Sequence, residues 1–280
     1  MTAADLSDSD AERLRAFERQ GHDALATSYQ DFFASITALA TEPLLDAVRA
    51  GPGVRFLDVA AGPGGLAAAA ATRGALTVGV DLSPRMVELA RRLYPKVEFY
   101  ESDVEHLPFA DRVFDAIVCG FGLGHFPRPE IALAECVRVL NPGGRIALSW
   151  WDHPDRQRVQ GIFRDAITEV GLSMPSEVPH GHNVYRFSDT AEFLRLLHGA
   201  GLDEVGVAEH TTVYSVADTE TLWRGGLGSL VLTGAAIRQQ DKAVQDRVRA
   251  AFERRAGIYK SAKGLDVPIA FKVGVGHKPA

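Results

Sequence analysis

Between Val54 and Trp151 the chain repeats one pattern, a short apolar run followed by a stretch with helical spacing. The runs are "VRFLDVA", "ALTVGVD", "KVEFYESD", "VFDAIVCG" and "GRIALSWW". A strand with one wet face alternates apolar and polar residues, whereas these runs are nearly continuous, as in strands covered on both faces. Strands separated by helices pair in parallel, because the helix returns the chain to the same end of the sheet. The expected core is α/β, a Rossmann-like and mostly parallel sheet with helices on both faces.

Local punctuation fits this frame. Ser83 stands before Pro84 in "LSPRMVELARRLY", an N-cap followed by proline at the first helical position. "NPGG", from Asn141 to Gly144, ends the helix "PEIALAECVRVL" and turns the chain into the fifth strand. Beyond Trp151 come a helix in "PDRQRVQGIFRDAITEVG", a loop in "SMPSEVPHGHN" and a Ser-capped amphipathic helix in "FSDTAEFLRLLHGAGL". Two β-rich runs, "EVGVAEHTTVYSV" and "VPIAFKVGVG", bring the sheet to seven strands and are expected to pair antiparallel at its edge, making the last strand antiparallel. The mostly helical residues between them are far too many for a turn and predict an inserted cap. Two helical patterns, "AERLRAFERQ" and "YQDFFASITALATEPLLDAV", precede the sheet. The resulting division is 1–50, N-terminal helices covering the cofactor site; 51–216, the core, with a 151–184 cap segment; 217–264, a helical insertion or lid; and 265–280, the last core strand and tail.

With 280 residues, 46% of them hydrophobic, the chain suits one large domain with lid elements. A formal charge of −6 offers no broad footprint for phosphate backbones, so nucleic acid is not an expected partner. The basic stretch "RAAFERRAGIYKSAKG" reads as the solvated face and last turn of a helix. The N-terminal residues are acidic and lack a secretory pattern, and "LAAAAAT" is too short to span a bilayer; the expectation is a cytoplasmic protein without membrane association. Cys119 and Cys136 form no C-x-x-C pair and read as small hydrophobes, and no metal site is expected. "GGLGSLVLTGAAI" suggests either self-association through the cap, as a homodimer or higher homo-oligomer, or packing of the lid on its own sheet.

The segment "DVAAGPGGLA", from Asp58, has two readings. Gly62, Gly64 and Ala67 fit the G-x-G-x-x-G/A turn of a dinucleotide site, with Asp81 about twenty residues on for a ribose. The same letters fit acidic-x-Gly/Ala-x-Gly-x-Gly, in which a carboxylate ends the first strand. A carboxylate there would repel a pyrophosphate but suits a nucleoside carrying an ammonium. Asp103 followed by Val104 extends the second reading, as an acceptor for an adenine amine beside an apolar residue that packs the ring.

On these residues, together with "GVDLSPRMVELAR", "ESDVEHLPFAD", "FDAIVCGFGLGHF" and "LNPGGRIAL" in order, the chain resembles class I S-adenosylmethionine-dependent methyltransferases, of the group related to ubiquinone and menaquinone biosynthesis. The resemblance spans about Tyr29 to Leu202 and departs at Ala60, where the family carries glycine. It implies S-adenosyl-L-methionine as cofactor, held by Tyr29, Asp58, Ala60, Gly62, Gly64, Asp81, Leu82, Met86, Asp103, Val104 and Cys119. Tyr29 is either ordinary helix core or an aromatic lid over the methionine end. It also implies a small-molecule methyl acceptor.

Methyl transfer needs alignment of a nucleophile, and a base only where the acceptor must lose a proton. His125, in "FGLGHFP", and His153, in "WWDHP", are the catalytic candidates, each with a packing role as its alternative. His180 and His182, in "PHGHN", lack a third ligand and read as a polar loop. Phe121, Trp150, Trp151 and Tyr185 are candidates to line an apolar acceptor pocket. The expected activity is methylation of an O, N or C atom of a hydrophobic small molecule, such as a specialised metabolite. The alternatives are cofactor binding without transfer, in a regulatory or isomerising role, and an NAD-dependent oxidoreductase, for which "YRFSD" at Tyr185 carries no lysine at Tyr-x-x-x-Lys spacing.

Overall fold

The computed structural model describes residues 6–172, 179 and 181–280. Helix α1 (Asp8–Ser28) is capped by Ser7, whose hydroxyl accepts the Asp10 amide at 3.1 Å. The chain then passes through a π-helical turn, Tyr29–Phe33, into α2 (Ala34–Thr37), a 3-10 turn and α3 (Thr41–Ala47). The two expected helices are thus one nearly continuous run. Gly21 does not break it, because the space a side chain would fill is occupied by the Val231 methyls; that contact offsets the cost of about 1 kcal/mol that glycine carries in a helix interior.

The core follows in order: β1 (Arg55–Val59), α4 (Gly65–Thr72), β2 (Leu76–Asp81), α5 (Pro84–Leu93), β3 (Glu98–Glu101), β4 (Phe114–Gly120), α6 (Pro129–Val139) and β5 (Leu140–Trp151). After α7 (Arg158–Val170) and α8 (Thr190–Gly199) comes β6 (Asp203–Val216). The helices α9 (Thr219–Leu227), α10 (Val231–Arg238) and α11 (Lys242–Ala256) then lead to a two-residue strand β7 (Lys260–Ser261) and to β8 (Gly264–His277). The sheet order is β3-β2-β1-β4-β5-β8-β6, with β7 paired to β8. Strands β1 to β5 are parallel, and β8 runs antiparallel to both β5 and β6. A dinucleotide-binding sheet runs on in parallel as 3-2-1-4-5-6; here an antiparallel strand lies between β5 and β6.

The continuous apolar runs are explained by double coverage. In β4, Ala116, Ile117, Val118 and Cys119 are buried in succession, which a one-sided strand does not permit. Ser83 caps α5, accepting the Met86 amide at 3.1 Å with Pro84 in the first turn.

Three local expectations need correction. The strand β5 already begins at Leu140, so "NPGG" is a bulge inside the strand: pairing jumps from Phe114↔Leu140 to Ala116↔Arg145. Gly143 there has φ 74°, and the bulge is tied by Gly143 N to Lys278 O at 2.8 Å and Lys278 N to Gly144 O at 3.0 Å. The cap of α8 is Asp189, not Ser188, because the helix starts one residue later and the carboxylate reaches the amides of Ala191 and Glu192. Helix α7 starts at Arg158, four residues into its expected segment, with Gln157 as cap.

The apolar stripe at 225–237 is covered by this chain itself. Val231, Ala236 and Ile237 are buried, Trp223 stacks on Phe163 with centroids 5.5 Å apart, and Gly225 abuts Phe32. The basic end of α11 is paired, with Arg254 and Arg255 on Glu169. Among the described residues no helix is long and apolar enough to cross a membrane.

Candidate active site

The C-terminal ends of β1, β2 and β4 meet at the turn that follows β1. Gly62 and Gly64 adopt left-handed backbones, φ 52° and 87°, which reverse the chain so that α4 can begin at Gly65. Gly64 is also seated tightly, since a Cβ there would lie 2.6 Å from the Phe99 ring and 3.0 Å from Ala90. Ala60 shares the left-handed conformation, φ 56°, without glycine's exemption. Its departure from the family pattern therefore stores roughly 1–2 kcal/mol of backbone strain.

Three carboxylates stand at or just beyond the ends of β1, β2 and β3. Asp58 is 1% exposed, and neither of its oxygens has an aligned hydrogen-bond partner among the described residues. Burial pushes its carboxyl up to about 8, opposed by the nearby Ala67 amide and reinforced by the charge of Asp81. Asp81 ends β2 with both oxygens engaged, accepting the Gly62 amide at 2.7 Å and the Ser83 amide at 2.8 Å. Burial raises its pKa, and these two amides oppose the rise. A carboxylate oxygen accepts more than one bond, so room for two hydroxyl donors remains. Asp103 caps the 3-10 turn Val104–His106 through the Glu105 amide at 2.9 Å, and its second oxygen lies 2.6 Å from Arg15 Nε.

Helix α1 lies across these strand ends. Arg15 bridges Asp103 and Glu105, Arg19 meets Glu101 at 2.7 Å, and Asp23 accepts from Ser83 Oγ at 2.5 Å. Arg128, from the loop before α6, joins Glu105 to Asp8. Between α1 and Leu82 lies a cavity of about 270 Å³, lined by Glu12, Arg15, Ala16, Arg19, Gln20 and Asp23. Tyr29 packs with Ala26, Met86 and Leu89, and burial pushes its hydroxyl up to about 12, with the Asp81 charge contributing. Met86, Val104 and Cys119 are buried, and burial also drives the Cys119 thiol upward.

A cluster absent from the sequence reading sits beside Asp81. Glu18 on α1 is 4% exposed, and its Oε2 lies 3.1 Å from His125 Nδ1 and 3.5 Å from His22 Nδ1. The two imidazoles meet edge to face at 5.0 Å, and Trp150 lies edge-on to His125 at 5.5 Å. The loop carrying His125 rests on the glycine turn, since a Cβ on Gly122 would come within 2.6 Å of Ala60. Just before it, Phe121 holds φ 59° and stacks on Trp151 at 3.8 Å; a bulky residue in that backbone region is costly and concentrates at functional sites. The i,i+4 spacing of Glu18 and His22 was the one sequence signal for the cluster.

The structure brings Tyr29, Asp58, Ala60, Gly62, Gly64, Asp81, Met86 and His125 around one turn, with Leu82, Asp103 and Val104 under α1. His153 sits apart, half exposed, with Asp155 at 3.1 Å and Tyr185 as its neighbours. His182 lies 3.0 Å from Phe126 O and 3.1 Å from Asn183 O through its two nitrogens, which ties it into its loop; His180 lies outside the described residues.

The family described as Methyltransferase domain matches residues 57–148. A demethylmenaquinone methyltransferase of Beutenbergia cavernae is 41% identical over 171 residues, 58% of this chain and 71% of that protein. One of Renibacterium salmoninarum is 41% identical over 126 residues, 45% of this chain and 52% of its own length. This chain spans about half the length of the first curated relatives it matches. Among solved structures, a SAM-dependent methyltransferase of Thermotoga maritima superposes with TM-score 0.56 at 19% identity, over 93% of this chain and 99% of that one; that likeness is one of fold.

Proposed function

Because the chain belongs to the class I S-adenosylmethionine-dependent methyltransferases, we propose that it transfers a methyl group from S-adenosylmethionine to an O, N or C atom of a hydrophobic small molecule, a quinone-like ring or another specialised metabolite. The observation that carries this reading is Asp58. A buried carboxylate without a partner is costly, and the ammonium of the cofactor's methionine end is the cation that would complete it. A pyrophosphate in the same place would bring negative charge beside a buried carboxyl group, with no cation to offset it.

The remaining residues fit the rest of such a ligand. Asp81 would accept the two ribose hydroxyls while its amide partners hold it in place. Asp103 would take the adenine amine, with Val104, Leu82 and Met86 as apolar walls. The backbone of Ala60, Gly62 and Gly64 would present no bulk to the nucleoside, and Tyr29 and Cys119 would border the methionine end. Bound there, S-adenosylmethionine supplies a methyl group already activated by its sulfonium, so this chain's residues need only align the acceptor and exclude water.

Calorimetric titration with S-adenosylhomocysteine and, separately, with NADH tests the reading. The homocysteine compound should bind in the micromolar range and NADH should not. Asp81→Ala should weaken binding by about 10-fold or more, the loss of two charge-assisted hydrogen bonds. Binding of NADH alone would overturn the assignment.

A further inference from the structure

We infer that Glu18 and His125 form a proton-accepting dyad at the acceptor site, and that the acceptor is therefore a molecule with an acidic hydroxyl, a phenol, enol or hydroquinone. The inference rests on the proposed methyl transfer and names the substrate class for that site.

The geometry assigns each partner a role. Glu18, buried on α1, offers Oε2 to His125 Nδ1 at 3.1 Å. A carboxylate only accepts, so Nδ1 carries the proton and Nε2 is left as the basic nitrogen. Among the described residues Nε2 of His125 has no hydrogen-bond partner. His125 is 37% exposed at the side chain, so one edge remains open to a ligand while the other is fixed. The loop that bears it touches Ala60 through Gly122, which puts the imidazole next to the turn assigned to the cofactor.

The same three residues also resemble a metal-ligating set, Glu18, His22 and His125. The hydrogen bonds describe a different use. His22 Nδ1 lies 2.9 Å from the Glu18 backbone carbonyl and donates there, which leaves only its Nε2 as a lone pair. Glu18 Oε2 and His125 Nδ1 already face each other at 3.1 Å, so a metal held by that oxygen and that nitrogen would have to displace the proton they share.

Among the described residues, four titratable groups bear on His125, directly or through Glu18. Glu18 and His22 face it from α1, Asp81 from the end of β2, and His182 from the loop before α8 acts on Glu18. Burial opposes the charged imidazole, but Glu18 and Asp81 outweigh it, so its pKa stands above the usual histidine value. Glu18 conversely titrates below the carboxylate range: burial would raise it, and His125 and His22 outweigh that.

In the step itself, the acceptor's hydroxyl proton passes to Nε2, the oxygen keeps the pair that forms the bond to the methyl carbon, and the carbon–sulfur pair stays on sulfur as the homocysteine compound departs. The imidazolium then returns its proton to solvent, so one proton is released per turnover. Glu18 touches none of the reacting atoms; it is a positioning residue that fixes the tautomer and favours the protonated state.

Two measurements on the full chain test this. The first follows histidine side chains by NMR, with S-adenosylhomocysteine present, in wild type and Glu18→Gln, His125 being identified by its loss in His125→Asn. The His125 midpoint should lie above about 6.5 in wild type and fall by about one pH unit or more in Glu18→Gln; an unmoved midpoint would overturn the pairing. The second follows turnover of 1,4-naphthohydroquinone with S-adenosylmethionine. The rising limb of kcat/KM against pH should move to lower pH in Glu18→Gln, with partial recovery in Glu18→Asp. His125→Asn should lose about 100-fold or more in kcat, while Glu18→Gln, Glu18→Asp and His125→Asn all bind S-adenosylhomocysteine within about twofold of wild type, as residues outside the nucleoside contacts should. Equal turnover by His125→Asn would refute the base. Stoichiometric zinc binding by wild type that disappears in Glu18→Gln would replace the dyad with a metal centre. Failure of wild type to bind S-adenosylhomocysteine at all would count against the methyltransferase reading instead, and the NMR titration without ligand would still decide the pairing.

Discussion

The most informative single substitution is Asp58→Asn. An Asp58 carboxyl titrating near 3.8 in the unfolded chain and about 8 in the fold means that the native state holds a proton which the unfolded state has lost. Stability is therefore fully present below pH 3.8 and is lost as the pH rises toward 8. Each pH unit crossed in that window costs about 1.36 kcal/mol, so by neutral pH the cost approaches roughly 4 kcal/mol. Asparagine removes the titration but leaves an amide buried in the same partnerless site, a penalty of about 1–3 kcal/mol. The expected net result is an unliganded variant more stable than wild type by roughly 1–3 kcal/mol near neutral pH. Urea unfolding at several pH values reads this directly. The difference between variant and wild type should grow with pH and flatten once wild-type Asp58 is ionised. The same variant should bind S-adenosylhomocysteine at least about 10-fold more weakly, since the ammonium loses its counter-charge. A difference that does not change with pH, or a variant that binds as well as wild type, would refute the account of Asp58 as a carboxylate waiting for a cation.

Two further substitutions probe the turn. Gly64→Ala combines a left-handed backbone with a Cβ 2.6 Å from Phe99 and should destabilise by about 2 kcal/mol or more, read as a lower urea midpoint. Ala60→Gly should do the reverse, raising stability by up to about 1 kcal/mol because φ 56° no longer meets a Cβ, with S-adenosylhomocysteine affinity unchanged or improved.

The sheet was legible because its information is local. Double burial writes itself as uninterrupted apolar runs, and Ser83–Pro84 marks a helix start within two residues. The antiparallel β8 was also accessible, because the helical insertion between β6 and β8 was too long for a hairpin. The errors came where two local rules competed. At Asn141–Gly144 turn chemistry suggested a break, but pairing with the C-terminal segment at Lys278 turned it into a bulge. At Ser188 and Asp189 both residues are good caps, and the start of the helix chose the carboxylate.

The site divides along the same line. Asp58, Gly62, Gly64, Asp81 and Asp103 all stand at strand ends within one continuous segment, so their convergence follows from strand order alone. Glu18 reaches His125 across 107 positions, and apart from its i,i+4 spacing to His22 nothing in a run of charged helical residues distinguishes it from the solvated ones. Its distinction is electrostatic. Asp58 and Glu18 are both buried carboxylates, yet the fold leaves the first without a partner and gives the second two imidazoles. On the proposed reading, the bare one awaits the cation that arrives with the ligand. The compensated one then serves the proposed proton transfer, and α1, which carries it and lies over the strand ends through Arg15, Arg19 and Asp23, joins the sheet in forming the proposed site.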